Sequence, residues 1–220
     1  MARAYAEPAI SYAWVMGIWT DRVVPRLADR SLSTGPVMRL RREVVSGLTG
    51  RVLEIGFGSG LNASLYPDEV DRVDAVEPSD VGWQLSQDRR TAASVPVDRV
   101  GLDGQRLEAD DEVYDAVLTT FTLCTIPDVS RALAEVRRVL RPGGGLHFLE
   151  HGLAPDGRVA GWQRRLDPLQ RTVAGGCHLS RDVPSLVAEA GLEVLDLATS
   201  YLPGPAVGRP WTYVYRGRAA

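Results

Sequence analysis

Residues 53–61, Leu-Glu-Ile-Gly-Phe-Gly-Ser-Gly-Leu, set a glycine-rich turn directly behind a hydrophobic run, and their reading decides the fold. Arg51-Val52-Leu53-Glu54-Ile55 has the apolar, β-branched content of a buried parallel strand. Gly56, Gly58 and Gly60 let the chain reverse tightly and bring bare backbone against a ligand, as a loop holding a nucleoside-bearing cofactor requires. A helix is expected to begin near Leu61-Asn62. A dinucleotide fingerprint needs its third glycine three places after the second, at position 61, but that residue is Leu61 and the glycine is Gly60. The spacing argues against NAD, and so against a dinucleotide-dependent redox or epimerase enzyme.

A second strand lies where an α/β nucleotide site needs it. Asp71-Arg72-Val73-Asp74-Ala75-Val76-Glu77-Pro78 ends in an acid, and Glu77 falls seventeen positions after Gly60, close to the spacing at which such sites grip ribose hydroxyls. Pro78 stops the strand there and turns the acid over the sheet edge. The alternative for Glu77 is a solvated loop acid.

The remaining chain alternates strands with helices after position 50, behind a purely helical segment. Ile10, Trp14, Val15, Ile18, Trp19, Val23 and Val24 recur at helical spacing, and Val37 to Leu48 makes a second amphipathic helix. A helix is predicted over Val81 to Arg90, and strands near Val97 to Leu102 and over Val113 to Leu118. A further helix runs from Val129 to Leu140, ended by Arg141-Pro142-Gly143-Gly144. Then come a strand at Leu146 to Glu150, a helical insert around Val159 to Val173, a helix from Asp182 to Ala190, and strands near Leu192 to Thr199 and Trp211 to Arg216. The expected fold is α/β: a Rossmann-like, doubly wound, mostly parallel sheet of seven strands with an N-terminal helical cap. The cap takes residues 1–48 and the core 49–220, with the insert near 157–180.

Composition narrows the partners. The chain has 220 residues, 45% hydrophobic, enough for one sizeable core. Its 25 basic residues are all arginine and stand against 28 acids, a net charge of −3, with no massed basic patch to bind nucleic acid. The absence of lysine reads as coding bias of a GC-rich bacterial genome. Cys124 and Cys177 lie far apart without metal spacing, so neither a disulfide framework nor a metal site is expected, and the compartment reads as reducing. No apolar run is long enough to span a bilayer and the first residues lack a signal-peptide core, so a soluble cytoplasmic protein is expected, monomer or homodimer.

The pattern E-x-G-x-G-x-G at 54–60 resembles the first motif of class I S-adenosylmethionine (SAM) methyltransferases, whose loop faces the amino-acid part of the cofactor. Asp103-Gly104-Gln105-Arg106-Leu107 is similar to their D-A-x-x-L element, with Gly104 where alanine is usual; an Asp-Gly pair is also an ordinary turn signal. The resemblance implies SAM as cofactor, held by Glu54, Gly56, Gly58, Gly60, by Glu77 on the ribose, and by Asp103 and Gly104 at the adenine; Thr120, at the carboxyl edge of the fourth strand where open α/β sheets bind ligands, is a candidate for the methionine arm. It runs on through L-C-T-I-P-D, E-V-R-R-V-L-R-P-G-G, F-L-E-H, L-D-P and G-G-C-H-L-S-R. The last three blocks resemble the alkyl-thiol methyltransferases of vertebrates and their soluble bacterial relatives, some of which act on dithiol natural products. Other relatives carry a phospholipid N-methyltransferase label, and the hydrophobic N-terminal anchor of the vertebrate members has no counterpart here.

That resemblance implies methyl transfer to a small-molecule thiol, with N- or O-methylation of a phospholipid headgroup or another metabolite as one alternative and a noncatalytic SAM-binding protein as another. A thiol of ordinary pKa, about 8.5, is only a few per cent ionised at neutral pH, so a cation or base beside it raises the reactive fraction. His151, His178 and Arg181 are the candidates, each equally readable as a structural hydrogen-bonding residue. Cys177 beside His178 suggests a nucleophilic pair, but adjacent residues seldom face each other and methyl transfer needs none. Tyr12, Trp14, Trp19, Phe121 and Trp162 are candidates to line an apolar acceptor pocket, against the alternative that they are core packing.

Overall fold

The structure is a computed structural model that describes residue 17 and residues 19–220; the acceptor-pocket candidates Tyr12 and Trp14 lie outside the described residues. A π-helical turn, Trp19–Val23, leads into α1 (Val24–Leu32), followed by α2 (Gly35–Val45). Then come β1 (Gly50–Ile55), β2 (Val70–Val76), α3 (Asp80–Leu85), α4 (Gln87–Thr91), β3 (Val97–Gly101) and β4 (Tyr114–Thr120). The second half holds α5 (Val129–Val139), β5 (Leu140–His151), α6 (Gly157–Val173), α7 (Val183–Glu189), β6 (Val194–Tyr201), a 3₁₀ turn (Ala206–Trp211) and β7 (Tyr213–Ala219).

The seven strands form one sheet in the order β3-β2-β1-β4-β5-β7-β6. β1 pairs in parallel with β2 and β4, placing Ile55 beside Val76 and Thr119, while β7 runs antiparallel to both β5 and β6. Order reverses at β1 and β4, the switch point where open α/β sheets bind ligands beyond the carboxyl ends of their strands.

Alternation along β1 divides the core between the two faces. Leu53 and Ile55 join α5 and α7 in one apolar cluster, with Leu133, Val136, Val183 and Val187; Val52 joins Val44, Val45 and Leu48, in and just after α2, in the other. Glu54 shares the Val52 face, which puts a carboxyl under α2 rather than in the opposite core. Among the described residues no helix is long and apolar enough to cross a membrane.

Two local expectations are corrected. No helix follows the glycine loop. Residues 61–65 form successive turns, with Ala63 N–H donating to Gly60 and Leu65 N–H to Asn62, because Pro67 and the start of β2 at Val70 leave too few residues for a helix. The helix expected over Val81 to Arg90 is two short ones joined at Ser86, whose buried hydroxyl donates to Trp83 O at 2.7 Å.

Candidate active site

The loop after β1 is shaped by close approach. Gly56 (φ +77°) lies so near Thr122 that any side chain would overlap it. At Gly58 (φ +56°) a Cβ would meet only the Gly56 carbonyl oxygen, at 4.0 Å, so its requirement is the left-handed backbone itself. That backbone directs the Gly58 N–H to Glu77 Oε2 at 2.6 Å, while Ser79 N–H donates to Glu77 Oε1 at 2.8 Å. Glu77 is 5% exposed; burial raises its carboxyl above the usual range against these two hydrogen bonds. A carboxylate fixed at both oxygens still has lone pairs to accept from vicinal hydroxyls.

Beneath the loop lies a buried polar network anchored by Arg41 of α2. Its Nη1 donates to Asn62 Oδ1 at 2.9 Å and to Thr120 Oγ1 at 2.8 Å, and its Nε is buried without a partner. Asn62 also donates to Glu54 Oε1 at 2.8 Å, and Tyr66 donates its hydroxyl to the other Glu54 oxygen. Burial pushes Glu54 up to about 7 and Arg41 down to about 10, each partly held back by the other's charge. Glu54 and Thr120 thus brace the loop from inside. Phe121, at φ +55° and half-buried, lies 5.4 Å below the Arg41 guanidinium.

On the β3 side an open groove of about 660 Å³ is lined by Arg99, Val100, Gly101, Leu102, Asp103, Arg106, Glu108 and Arg131. Arg99 fixes its wall to the ribose candidate, donating to the Glu77 carbonyl at 2.9 and 2.6 Å and to Asp80 at 2.7 Å. Asp103 is exposed and accepts from Gln105 N–H and Nε2, both at 2.9 Å; these bonds lower its pKa. Gly104 explains the departure from D-A-x-x-L, because a Cβ there would lie 2.6 Å from Ile55 Cγ2. Leu102, 59% exposed beside Asp103, offers the groove an apolar face.

At the β5 end, Glu150 is fully buried and accepts from Thr122 N–H at 2.9 Å, with the Leu123 and Cys124 N–H groups also turned to it; burial outweighs these bonds and raises its carboxyl to about 7. The next residue, His151, contacts the Pro210 carbonyl through Nε2 at 3.4 Å. A carbonyl only accepts, so Nε2 carries a hydrogen in that contact, while Nδ1 is buried without a hydrogen-bond partner. His178 pairs with Asp167 at 3.3 Å; burial, then the charge of Arg181, lowers its pKa. Asp167 also accepts from Ser180 N–H and Oγ, both at 3.0 Å, which makes the L-D-P acid the organiser of the loop after α6. Arg181 donates to the Leu123 carbonyl and, at 3.4 Å, to that of Pro127. Arg181, the His178 N–H (to Cys124 O at 2.8 Å) and the Cys177 thiol (against Cys124 and His151) all meet the loop that follows β4.

The N-terminal helices reach both ends of this edge. Asp29 of α1 accepts from Ser59 Oγ at 2.7 Å and Arg89 at 2.6 Å, and Trp19 Nε1 donates to Val173 O at 2.7 Å. Trp162 stands 53% exposed on α6, its ring covered by Arg165 at 5.5 Å, whereas the neighbouring Gln163 is fully buried. The structure therefore does not gather Trp162 with the residues around His151.

Arg41, Asp29, Glu150 and the contact of Cys177 with Cys124 are site features that sequence reasoning missed. For Arg41 a signal existed: Val37, Arg41, Val44 and Val45 form the buried stripe of α2, so an arginine occupies a core position. Asp29 and the cysteine contact had none, since each partner is distant in sequence.

Residues 53–148 match a methyltransferase domain family. The thiol S-methyltransferase TMT1B of Rattus norvegicus is 34% identical over 137 residues, 60% of this chain and 55% of that protein, so the chain spans little more than half that relative's length. The phosphatidylethanolamine N-methyltransferase of Cereibacter sphaeroides is 30% identical over 169 residues, 73% of this chain and 78% of that protein. A crystal structure from Thermotoga maritima, described as a SAM-dependent methyltransferase and possible histamine N-methyltransferase, superposes with a TM-score of 0.65 at 21% identity, covering 93% of this chain and 99% of that one.

Proposed function

The chain belongs to the class I SAM-dependent methyltransferases, with SAM as cofactor, and from that premise we propose that it methylates a small-molecule thiol. When bound, SAM supplies an electrophilic methyl group on a sulfonium. The chain's own residues have to hold that group and the acceptor in line and keep water out. In this reading the glycine loop and Glu77 take the ribose and amino-acid portion, and the groove at Leu102 to Gly104 takes the adenine. Arg41, with its unpartnered Nε, is the cation for the methionine carboxylate.

The observation that carries the choice of sulfur is that Arg181 and the His178 backbone bond the loop after β4, with His151 reaching it through Cys177, in a chain related to a thiol S-methyltransferase. A thiolate needs no strong base. Arg181 favours the anion by charge, and His151 is the group proposed to take the proton. In this reading the preceding turn and α1 form the cap, which meets the glycine loop through Asp29 and the end of α6 through Trp19, while α2 packs on the sheet.

Nitrogen methylation of an aminophospholipid headgroup is the second reading, favoured by the relative of that name over 78% of its length. Labelled SAM offered with matched thiols, dithiols, amines, phenols and phosphatidylethanolamine decides between them. Label on sulfur is expected; preferential label on nitrogen or oxygen rejects the thiol reading, and SAM binding without turnover on any acceptor leaves a noncatalytic binding protein.

A further inference from the structure

Two sulfur atoms meet at the acceptor end, and methyl transfer uses neither. Cys124 follows β4 and is 2% exposed; Cys177 follows α6 and is partly exposed; both are free, with their Sγ atoms 3.7 Å apart. The backbones that carry them are held side by side. His178 N–H donates to Cys124 O at 2.8 Å, and at Gly176 a Cβ would lie 3.2 Å from the Thr125 carbonyl oxygen. Arg181 grips the Leu123 carbonyl from the same loop, and the His151 imidazole lies against Cys177.

The pair is asymmetric. Cys177 is the first to lose its proton, because contact with Cys124, and then the His151 and Gln170 side chains, stabilise its thiolate against burial. Cys124 is pushed up by the same contact and by burial. A partly exposed thiol whose pKa is lowered, in contact with a buried one whose pKa is raised, is the arrangement of an attacking and a resolving cysteine.

We propose that Cys177 and Cys124 are the attacking and resolving thiols of a dithiol that reduces a small-molecule disulfide at the acceptor end of the site. The Cys177 thiolate attacks one sulfur of R–S–S–R, breaking that bond and forming Cys177–S–S–R; the first R–S⁻ leaves and takes a proton from solvent. Cys124 then attacks the Cys177 sulfur, the second R–S⁻ leaves, and the Cys124 proton passes to it. Two electrons move from the cysteines to the substrate, which departs as two thiols, and a second small dithiol restores the pair by the reverse exchange. The sulfurs need only close from 3.7 Å to about 2.05 Å, the length of the bond they form.

This deepens the thiol reading, since it frees a thiolate beside His151, but its test needs no methyl transfer and so fails or succeeds separately. Reduced wild-type protein and the variants Cys124→Ser, Cys124→Ala and Cys177→Ser are treated with hydroxyethyl disulfide and followed by intact mass, peptide mapping and released mercaptoethanol. Wild type is expected to release both halves of the reagent and yield a peptide joining Cys124 to Cys177. Either Cys124 variant should release one half and retain the other on Cys177, and Cys177→Ser should react at least tenfold more slowly than wild type. A lasting adduct on the wild-type chain, an adduct on Cys124 in preference, or a Cys177→Ser variant as fast as wild type overturns the proposal.

Discussion

Asp29 of α1 and Ser59 of the glycine loop are joined by a 2.7 Å hydrogen bond, which ties the first helix to the turn after β1. Asp29 also holds Arg89, whose Nη1 donates to the Ser59 carbonyl at 2.8 Å, so one carboxylate fixes both sides of the turn. Since the pair is part-exposed, Asp29→Ala should cost about 0.5–1 kcal/mol of SAM affinity, a two- to fivefold rise in Kd. Calorimetry with S-adenosylhomocysteine checks this; an unchanged Kd would separate the cap from the loop.

Glu77→Ala removes the acceptor for Gly58 N–H as well as the proposed ribose contact. The expected loss is about 1–3 kcal/mol of cofactor binding, the usual cost of deleting a charge-assisted partner. Glu77→Gln keeps one acceptor and should fall between the two. Wild-type affinity in the alanine variant would mean that the ribose is held elsewhere.

Arg41→Met keeps the stem in the α2 stripe but strips the bonds to Asn62 and Thr120. SAM affinity should drop about tenfold or more, the scale of a buried charge-assisted bond, while circular dichroism stays that of the folded chain. Lysine at the same position should recover part of the loss. Full affinity in the methionine variant would sink the assignment of Arg41 to the cofactor carboxylate.

Stability should fall as pH rises toward neutrality. Burial lifts Glu54 and Glu150 from an ordinary value of 4.5 to about 7, so between these limits the folded chain keeps protons that the unfolded chain has lost. The stabilisation is whole below about 4.5 and is lost progressively up to about 7, on the order of 3 kcal/mol for each carboxyl. Glu54→Gln, which can still accept from Asn62 and donate to Tyr66, should flatten that slope in urea melts taken across the window. A slope as steep as wild type would place the titration on another group.

If the acceptor is a thiol ionised beside Arg181, the rate of methyl transfer should climb with pH until the bound thiol is fully ionised. Arg181→Gln or His178→Gln should move that climb to higher pH where the side chain stabilises the anion. An unmoved profile in both leaves His151 as the group that acts on the acceptor.

The fold around the glycine loop was readable because its signals are local. The glycines after β1, the acid closing β2 and the period of α5 each declare themselves within a few residues, and all seven strands fall near their expected positions. What escaped depends on strand order. Arg41 meets Thr120 across 79 residues and Cys124 meets Cys177 across 53, and both contacts exist only because β4 lies between β1 and β5. The mistaken helix at Leu61 has the opposite cause: a habitual strand-turn-helix expectation lost to the short return path before Pro67.

The antiparallel strand β7, last in chain order, is threaded between β5 and β6. On the ribosome β6 therefore emerges with no sheet neighbour to dock against, and waits until residues 213–219 have cleared the exit tunnel. The strands that carry the glycine loop and Glu77 are already complete by then, so the parallel part of the sheet can pair before its antiparallel edge is made. At synthesis rates of about 5–20 residues per second that wait is on the order of seconds.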